Sequence, residues 1–442
     1  MKFTKLFFIA IALVSSGYAV SNASLFSLDK PELSKDAKDS LKVFGEAYAK
    51  IRREYVTEVE DKKLVEAAIN GILTSLDPHS SYMDEKSFEE LKQSTKGEFG
   101  GLGIEVTMEN GAVKVISPIE GTPAEKAGIE AGDKIVAIFS KPIFGLTLIE
   151  AVEKMRGKPG TSIKITVVKH NKPEPVEYEI KREIIKVKAT RSKLFGDVAY
   201  IKLNSFTEKA HESLIREYEK LKAEATSESK AELSGLILDL RNNPGGLLDQ
   251  AIMIVDSFID SGTIVSTKGR NPDNINKFEA SSGDVTNGLP IVILINSGSA
   301  SASEIVAGAL QDHKRAIIVG TKSFGKGSVQ SIIPMSNGGA IKMTTARYYT
   351  PKDRSIQANG ITPDIIVEQA KIEKIDAPKI SINESSLNKH LKNEAIDEEI
   401  EAMSSAPKNN EFYEKDFQLA RAIDIVKTFS IIKNIKGAKN AK

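Results

Sequence analysis

The stretch IVILINSGSASASEIVAGALQDH, residues 291–313, joins an apolar run to a helical pattern through a serine-rich junction. The run Ile291 to Ile295 predicts a strand that is covered on both faces. The first N–H groups of the helix that follows have no partner within the helix, and they lie at the positive end of its dipole. A serine hydroxyl at this junction is therefore well placed for acyl transfer, since these N–H groups can hold a developing oxyanion.

Three serines at the junction compete for the role of nucleophile: Ser299, Ser301 and Ser303. Because they alternate with alanine, their side chains point in different directions. A structural explanation is equally available. Serine is a common N-cap residue, and small side chains let a helix pack closely on a sheet. The junction taken alone does not decide between a nucleophile and a cap.

A lysine in the next loop favours the catalytic interpretation. Lys326 lies between Gly325 and Gly327, just after the predicted strand 316–320. Glycine lets backbone or substrate approach closely. A lysine acts as a base only when it is neutral, which requires that burial lowers its pKa from about 10.4. The sequence thus predicts a Ser/Lys pair if Lys326 is desolvated.

Histidine is the commoner base in serine hydrolases, and the chain contains five histidines. His313 is nearest to the serines in sequence, but a continuous helix places it roughly 18 Å from Ser301. The others lie in a turn, at a helix start and in polar settings without a recognisable acid partner: His79, His211, His170 and His390. A histidine base is the less favoured alternative.

A second glycine-rich junction follows the apolar strand GLILDL. Residues 241–246 read RNNPGG, and a helix begins at Leu247. One interpretation is a tight turn that needs glycine. The other makes Gly245 or Gly246 an oxyanion donor beside the N–H group of Ala302. A phosphate-binding loop is disfavoured, because the turn lacks the GxxxxGK[ST] pattern.

The N-terminus predicts export. Lys2 and Lys5 precede an apolar run that is too short to span a bilayer comfortably, which is typical of a secretory signal peptide. Small residues allow cleavage after Ala23, which we favour, or after Ala19. An uncleaved membrane anchor is the alternative.

Changes of texture along the rest of the chain indicate a multidomain α/β and β protein. The chain begins with apolar residues at helical spacing. Short strands with glycine turns come next, and alternating strands and helices follow. The predicted segments are a signal peptide, 1–23; a helical N-terminal module, 24–95; a small β domain, 96–183; an α/β core with a largely parallel sheet, 184–370; and a helical or flexible C-terminal segment, 371–442.

Composition excludes several function classes. The 61 basic and 60 acidic residues leave a net charge of +1, which gives no reason to expect a nucleic-acid partner. The chain has no cysteine, which excludes disulfides, thiolate catalysis, cysteine metal sites and lipid attachment through cysteine.

The order of GLGI, residues 101–104, and GTPAEKAGIEAGDKIVAI, residues 121–138, followed by a helix, closely resembles a PDZ domain. The resemblance implies a groove in which a peptide C-terminus adds as an extra strand. Its carboxylate would be held by the N–H groups of Leu102, Gly103 and Ile104.

DLRNNPGG, GSASASEI and SFGKGSVQ, in this order after the PDZ-like domain and together with LDPHSSYM and NGITPDI, resemble the carboxy-terminal processing peptidases. These are serine peptidases with a Ser/Lys pair. The resemblance implies that Ser301 is the nucleophile, Lys326 the general base and Gln330 the residue that orients the lysine, with Ser299 and Ser303 in supporting positions.

Two details of this resemblance need a physical comment. On an ideal strand Lys326 and Gln330 lie about 13 Å apart, so their contact requires a bend at Gly325 to Gly327. The resemblance also implies that Asp312 matters for structure or activity. Its distance from Ser301 makes a structural role the expectation.

The sequence therefore predicts a serine endopeptidase that cleaves near the C-termini of exported proteins through an acyl-enzyme, with no metal and no organic cofactor. We expect it in the periplasm or on the outer face of the inner membrane. Its expected partners are unfolded or flexible C-terminal tails, with a second copy and a regulatory adaptor protein as further candidates. Two alternatives stay open: a PDZ scaffold or adaptor that binds C-terminal peptides without cutting them, and a Ser-His hydrolase of small esters that is indifferent to Lys326.

Overall fold

The computed structural model describes residues 33–370 and 416–440, apart from eleven positions: 110, 147, 171, 173, 187, 229–231, 272, 274 and 282. The predicted signal peptide and residues 371–415 of the C-terminal segment lie outside the described residues. The chain divides after Ala68 into two structural units. Among the described residues, none of the helices combines the length and the apolar character needed to cross a membrane.

The N-terminal unit contains α1, Lys35–Glu54, and the first half of α2, Asp61–Thr74. The Ser34 side chain accepts a hydrogen bond from the N–H of Ala37 and so caps α1. Most of the apolar residues whose spacing predicted this helix are exposed, namely Leu41, Phe44, Ile51 and Tyr55, and Tyr48 is half-buried. The predicted helices are confirmed, and α1 itself buries no residue.

The second unit begins with β1, Ser81–Met83, α3, Glu85–Thr95, and β2, Glu98–Gly101. A PDZ-like domain follows, and its strands form one antiparallel sheet in the order β3-β4-β5-β7-β8, with β6 beside β5. Its elements are β3, Ile104–Glu109; β4, Ala112–Pro118; α4, Pro123–Lys126; β5, Lys134–Ile138; β6, Lys141–Pro142; α5, Leu148–Met155; β7, Ser162–Val168; and β8, Pro175–Lys181. Buried alternate residues of the strands, such as Val113, Ile135 and Ile163, make its core.

The remaining elements form the α/β core. They are β9, Glu183–Lys186; β10, Thr190–Phe195; β11, Val198–Leu203; α6, Ala210–Glu228; β12, Gly235–Asp239; α7, Leu248–Asp256; β13, Thr263–Gly269; β14, Ile275–Glu279; β15, Ile291–Ile295; α8, Ala302–Asp312; β16, Ala316–Gly320; β17, Ser328–Pro334; β18, Ala340–Tyr349; β19, Ile365–Ile366; and α9, Phe417–Asn440. β9 pairs with β2 as a two-stranded ribbon between the PDZ-like domain and the core.

A six-stranded sheet in the order β10-β11-β12-β15-β16-β19 is the centre of the core. All its pairings are parallel except the antiparallel pairing of β10 with β11. Helices α6, α7 and α8 cover one face, and Ile423 and Val426 of α9 pack on the other. The prediction of strands covered on both faces is confirmed for β12 and β15, in which every residue is buried.

A second sheet, which the sequence did not predict, is antiparallel in the order β1-β18-β13-β14, with β17 also beside β18. The loop that carries Lys326 runs from β16 of the first sheet to β17 of the second. Residues 81–83, from the LDPHSSYM segment, supply its edge strand β1. The core is therefore built from a mixed sheet and an antiparallel one.

Candidate active site

Three neighbouring strands of the central sheet deliver the predicted site residues. β12, β15 and β16 are adjacent and parallel, so their carboxyl ends lie side by side. The RNNPGG turn follows β12, the serine junction follows β15, and the Lys326 loop follows β16. Ligands of open α/β sheets bind at this edge.

The structure separates the three serines by exposure. The Ser299 hydroxyl donates to the carbonyl of Leu240 at 2.8 Å, and the Ser303 hydroxyl donates to the carbonyl of Asn243 at 2.9 Å. Both side chains are fully buried. These bonds connect the residues around the start of α8 to Leu240 and Asn243, and so they hold the serine junction against the end of β12 and the turn that follows it. Ser301 alone of the three is partly exposed.

Ser301 has an unusual backbone conformation, with φ of 56° and ψ of −113°. A positive φ in a residue other than glycine is uncommon, and such strain costs on the order of 1–3 kcal/mol. It persists only where the surroundings impose it. Here the Ser301 N–H donates to Oε2 of Glu304 at 2.8 Å. The junction is thus held in a fixed conformation at the N-cap of α8.

Glu304 is a site residue that our sequence analysis missed. Its carboxylate is 1% exposed and accepts four hydrogen bonds. Oε2 accepts from the N–H groups of Ser301 and Lys326, the latter at 2.9 Å. Oε1 accepts from the Ser323 hydroxyl and the Gly325 N–H, both at 2.6 Å. One buried side chain therefore ties the serine junction to the lysine loop.

The sequence did carry a signal for Glu304. A glutamate three residues after an N-cap serine is the spacing of a capping box, in which the glutamate returns to the N–H of the cap. That pattern predicts the bond to Ser301. It does not predict the bonds to Ser323, Gly325 and Lys326, because these come from a loop that follows a different strand.

Lys326 is half-buried. Burial lowers the pKa of Lys326 below its ordinary value of 10.5, the positive charge of Lys342 lowers the pKa further, and Glu304 partly opposes both. This is the direction that a general base requires. No hydrogen bond joins Ser301 Oγ to Lys326 Nζ in the described part of the chain. Catalytic hydrogen bonds often tighten only when substrate is bound.

Gln330 lies on β17 just after an irregularity in the pairing with β18. Its side-chain amide donates to the Ser328 hydroxyl at 2.8 Å and to the Thr344 hydroxyl at 3.3 Å. The described hydrogen bonds do not include one between Gln330 and Lys326. The role of Gln330 in orienting the lysine stays a prediction.

The LDPHSSYM turn borders the lysine, a connection the sequence did not reveal. Asp77 accepts hydrogen bonds from the N–H groups of His79 and Ser80 and from the Ser80 hydroxyl. Ser80 Oγ in turn accepts from the N–H of Thr344 on β18 at 3.1 Å. Burial lowers the pKa of His79, and the charge of Lys326 lowers it further, so the two side chains are close enough to repel each other.

His313 and Asp312, at the far end of α8, have other partners. His313 Nε2 lies 2.7 Å from the carbonyl oxygen of Thr263. The Asp312 carboxylate pairs with Arg354 at 2.5 Å and accepts from the N–H of Lys352 at 3.0 Å. These contacts fix the end of the helix to the loop after β18, as expected for a structural aspartate.

The RNNPGG turn approaches the serine very closely. Gly245 has a φ of 100°, and a Cβ atom there would lie only 2.9 Å from Cβ of Ser301 and 2.7 Å from the carbonyl oxygen of Ala300. Only glycine fits. The Gly245 N–H is donated to Asn243 Oδ1 at 2.9 Å. No described hydrogen bond uses the N–H of Gly246 or of Ala302, and the oxyanion role of this turn stays a prediction.

A buried ionic network supports the same turn from behind. Arg241 pairs with Asp239 at 2.6 Å and with Asp416 at 2.8 Å, next to α9. Burial alone would lower the pKa of Arg241, but the hydrogen bonds to Asp416 and Asp239 outweigh it and raise the pKa. The Tyr200 hydroxyl donates to Asp239 at 2.8 Å.

In the PDZ-like domain the GLGI loop is anchored to the segment before α4. The carbonyl of Gly103 accepts from the N–H of Ile119 at 2.8 Å and from the Thr122 hydroxyl at 3.1 Å. Gly103 has a φ of 79°, and a Cβ atom there would lie 2.3 Å from Cβ of Thr122. Leu102 is buried, and Ile104 begins β3. That these residues bind a peptide carboxylate stays a prediction.

Comparison with known proteins identifies the family. Residues 197–367 match the model of peptidase family S41, residues 100–180 match the PDZ domain, and residues 5–87 match the N-terminal domain of the activating protease CtpB. The chain is 50% identical over 387 residues to the carboxy-terminal-processing protease of Bartonella bacilliformis, covering 88% of each chain. This chain belongs to peptidase family S41, with the carboxy-terminal processing proteases.

Two further proteins are less similar to this chain. The carboxy-terminal processing protease CtpA of Bacillus subtilis is 32% identical over 436 residues, covering 96% of this chain and 89% of its own. A solved photosystem II D1 C-terminal processing protease is 26% identical and covers 74% of this chain and 92% of that one, with a TM-score of 0.48. The predictions of the family, of the PDZ domain and of a serine peptidase are confirmed.

Proposed function

We propose that this S41 peptidase cleaves polypeptides near their C-termini with Ser301 as the nucleophile and Lys326 as the general base. One observation carries the proposal: the buried Glu304 carboxylate accepts the backbone N–H groups of both residues. Ser301 is also the only accessible hydroxyl of the three at the junction. The lowered pKa of Lys326 supports the role of base.

In the proposed first step, neutral Lys326 accepts the proton of Ser301 as Oγ attacks the peptide carbonyl. The N–H groups of Gly246 and Ala302 stabilise the oxyanion of the tetrahedral intermediate. When the C–N bond breaks, the Lys326 ammonium returns its proton to the leaving amine. The product is an acyl-enzyme ester on Ser301.

In the second step, water hydrolyses this ester. Lys326 accepts a proton from water as the hydroxide oxygen attacks the acyl carbon, and the same proton then passes to Ser301 Oγ when the ester bond breaks. Gln330 is proposed to orient the lysine through both steps. The proposed reaction uses these side chains, the backbone N–H groups of Gly246 and Ala302, and water.

The substrates we propose are unfolded or flexible C-terminal tails of exported proteins, captured by the PDZ domain at Leu102, Gly103 and Ile104. The basic and apolar start of the sequence supports export to the periplasm or to the outer face of the inner membrane. The exposed apolar residues of α1 support a homodimer formed by the N-terminal module. A regulatory adaptor protein is a further proposed partner.

The direct test is cleavage of a disordered protein, with the products identified by mass spectrometry. Ser301→Ala and Lys326→Ala should each reduce the rate by about 10³-fold or more, because the pair acts as a unit. The exposed neighbours Ser297→Ala and Lys322→Ala are matched controls and should retain the rate. An S301A variant that cleaves normally would contradict the assignment.

The same assay separates the alternatives. A non-cleaving PDZ adaptor would bind the substrate and give no products with the unaltered chain. A Ser-His hydrolase would lose activity when a histidine is replaced and would tolerate Lys326→Ala. If the PDZ domain captures a C-terminal carboxylate, a peptide with a C-terminal amide should be cleaved more slowly than the matched free acid.

A further inference from the structure

A concave pocket of about 370 Å³ lies where the β2–β9 ribbon joins the core, away from the three loops of the active site. Its lining includes five basic side chains and two acidic ones, Glu98 and Glu217. The basic residues are Lys96, Lys186, Lys188, Lys209 and Arg216. We call it the basic pocket. Its excess of positive charge fits an anionic ligand.

Much of this charge is not neutralised within the protein. Lys186 lies 3.8 Å from Glu98, and Arg216 lies 3.8 Å from Glu212 and 3.9 Å from Glu217, all of which are long ion pairs. Lys96, Lys188 and Lys209 form no salt bridge with any residue that the structure describes. The whole chain carries a net charge of only +1, whereas the pocket lining carries five basic side chains and two acidic ones.

Two hydroxyl groups in the lining also lack partners. Thr190 is 5% exposed and Thr207 is 8% exposed, and both line the basic pocket. Within the described part of the chain, neither hydroxyl makes a hydrogen bond. Neither hydroxyl oxygen is among the buried unpaired side-chain atoms of the described residues, so both are open to solvent and can donate to a ligand oxygen that enters the pocket. Helix α6 begins at Ala210, next to Lys209, so the positive end of its helix dipole is at this position.

Residues that line the basic pocket are close in the chain to residues at both predicted peptide-binding positions. Gly97 and Glu98 enter β2, and Leu102 follows Gly97 after at most about 18 Å of chain. On the other side, Thr207 follows Phe206, whose N–H donates to the carbonyl of Gly245 and whose carbonyl accepts from the N–H of Leu247. One edge of the pocket thus leads to the PDZ loop and the other to the turn beside Ser301.

We propose that the basic pocket binds the carboxylate of an aspartate or glutamate side chain in the substrate polypeptide, between the C-terminus held by the PDZ domain and the bond that is cleaved. The inference rests on the proposed function for the path of the substrate. Its chemistry rests on the pocket alone: unpaired lysines attract the carboxylate, and the Thr190 and Thr207 hydroxyls donate to it. Such a pocket would select acidic residues at a fixed distance from the C-terminus.

The test uses binding to the full chain carrying Ser301→Ala, so that peptides are not consumed. Fluorescent peptides of one length and one C-terminus carry glutamine at all internal positions, or glutamate at one position at a time. We expect glutamate to improve affinity by about three- to tenfold at one or two positions, and added salt to weaken that gain. A K188Q/K209Q double variant should abolish the gain.

The matched control is K193Q/K220Q, which removes the same charge from exposed lysines of β10 and α6 outside the lining. It should keep the preference for glutamate. Equal binding of the glutamate and glutamine peptides at every position would overturn the proposal, as would an equal loss in the control. Inorganic phosphate that binds through Lys188 and Lys209, without any preference for glutamate in peptides, would show a site for free anions and would also overturn it.

The design separates this inference from the proposed catalytic function. Selective binding of the glutamate peptides by the S301A variant, without cleavage by the unaltered chain, would contradict the Ser/Lys mechanism and leave the basic pocket supported. Cleavage by the unaltered chain, without any preference of the S301A variant for glutamate peptides, would support the Ser/Lys mechanism and overturn the proposal for the basic pocket.

Discussion

At the scale of single residues, Glu304 determines how the site is held together. The Glu304 carboxylate accepts four hydrogen bonds, which satisfy its acceptor sites. Each of these bonds is electrostatically stronger in the buried site than it would be in water. The bonds fix the backbone at Ser301 and Lys326, while both side chains stay free to meet a substrate. Glu304 is therefore a positioning residue.

Glu304→Gln should separate catalysis from binding. The glutamine amide replaces one acceptor oxygen by a donor that faces N–H or O–H groups, so the two loops should move apart. We expect kcat to fall by about 10²-fold and KM for a C-terminal peptide to change little, because misplacement at the reacting centre affects the transition state first. The free energy of unfolding should fall by about 2–4 kcal/mol.

Steady-state kinetics and urea unfolding measure these two effects. The exposed Glu208 provides the control, and Glu208→Gln should leave both unchanged. An unchanged kcat in the Glu304→Gln variant would show that the carboxylate does not position the pair.

Lys326 predicts the pH dependence of the reaction. Since burial and Lys342 lower its pKa below 10.5, and since only the neutral amine accepts a proton, log kcat/KM should rise with pH up to the pKa of the folded enzyme and level off above it. Lys342→Gln removes a repelling charge and should move the midpoint to higher pH. Lys322→Gln should not move it. A midpoint at or above 10.5, or one that ignores Lys342→Gln, would contradict this role.

The residue scale also shows what the sequence could predict. Helical geometry excluded His313 as the base of Ser301, and the structure gives His313 another partner, Thr263. The choice of Ser301 over Ser299 and Ser303 came from family resemblance, since all three are small polar residues at one junction. Only the fold distinguishes them, by burying two of the hydroxyls against the carbonyl groups of Leu240 and Asn243.

At the scale of elements, the turn after β12 depends on a helix far along the chain. Arg241 bridges Asp239, at the end of β12, to Asp416, which precedes α9. The α9 residues Ile423 and Val426 are buried against the sheet. The segment at the start of α9 therefore stabilises the RNNPGG turn, and the same turn contacts Ser301 through Gly245.

Asp416→Asn should destabilise the protein in a pH-dependent way. Burial would raise the pKa of Asp416, but the hydrogen bond and charge of Arg241 outweigh it and lower the pKa below 3.8. A lowered pKa contributes stability above the unfolded value and loses it as pH falls through the folded value. The variant should lose about 1–3 kcal/mol at neutral pH and almost nothing in strong acid.

Urea unfolding at neutral pH and in strong acid, below the pKa of Asp416 in both the folded and the unfolded state, measures the difference. Asp273→Asn, in an exposed loop, is the control and should change stability at neither pH. A loss for Asp416→Asn that is equal at both pH values would exclude the ionic contribution.

The elements that the sequence missed have a common physical cause. Strands β12 and β15 are short continuous apolar runs, and such a run predicts a buried strand from the sequence alone. β14, with the sequence INKFE, and β17, SVQSIIP, are mostly exposed or half-buried, so no clear apolar alternation marks them. They are strands because β13 and β18 pair with them, which is a long-range condition.

At the scale of the whole molecule, the second structural unit contains both the PDZ domain and the S41 peptidase domain. The PDZ domain is connected to the core by the β2–β9 ribbon and by an ion pair of Glu105 with Arg191 at 2.8 Å. The order of the motifs along the chain was sufficient to predict both parts and their family. The basic pocket could not be predicted, because its lining comes from three separate segments of the chain, 96–98, 186–190 and 207–217.

The central claim is that Ser301 forms an acyl-enzyme with the help of neutral Lys326. The most direct measurement is to mix the protein with a cleavable C-terminal peptide, quench in acid during the first turnovers, and locate the added mass by mass spectrometry. We predict an acyl group from the N-terminal part of the substrate on the fragment that carries Ser301, and none in the Lys326→Ala variant. An acyl group on any other residue, or normal cleavage by the Ser301→Ala variant, would contradict the claim.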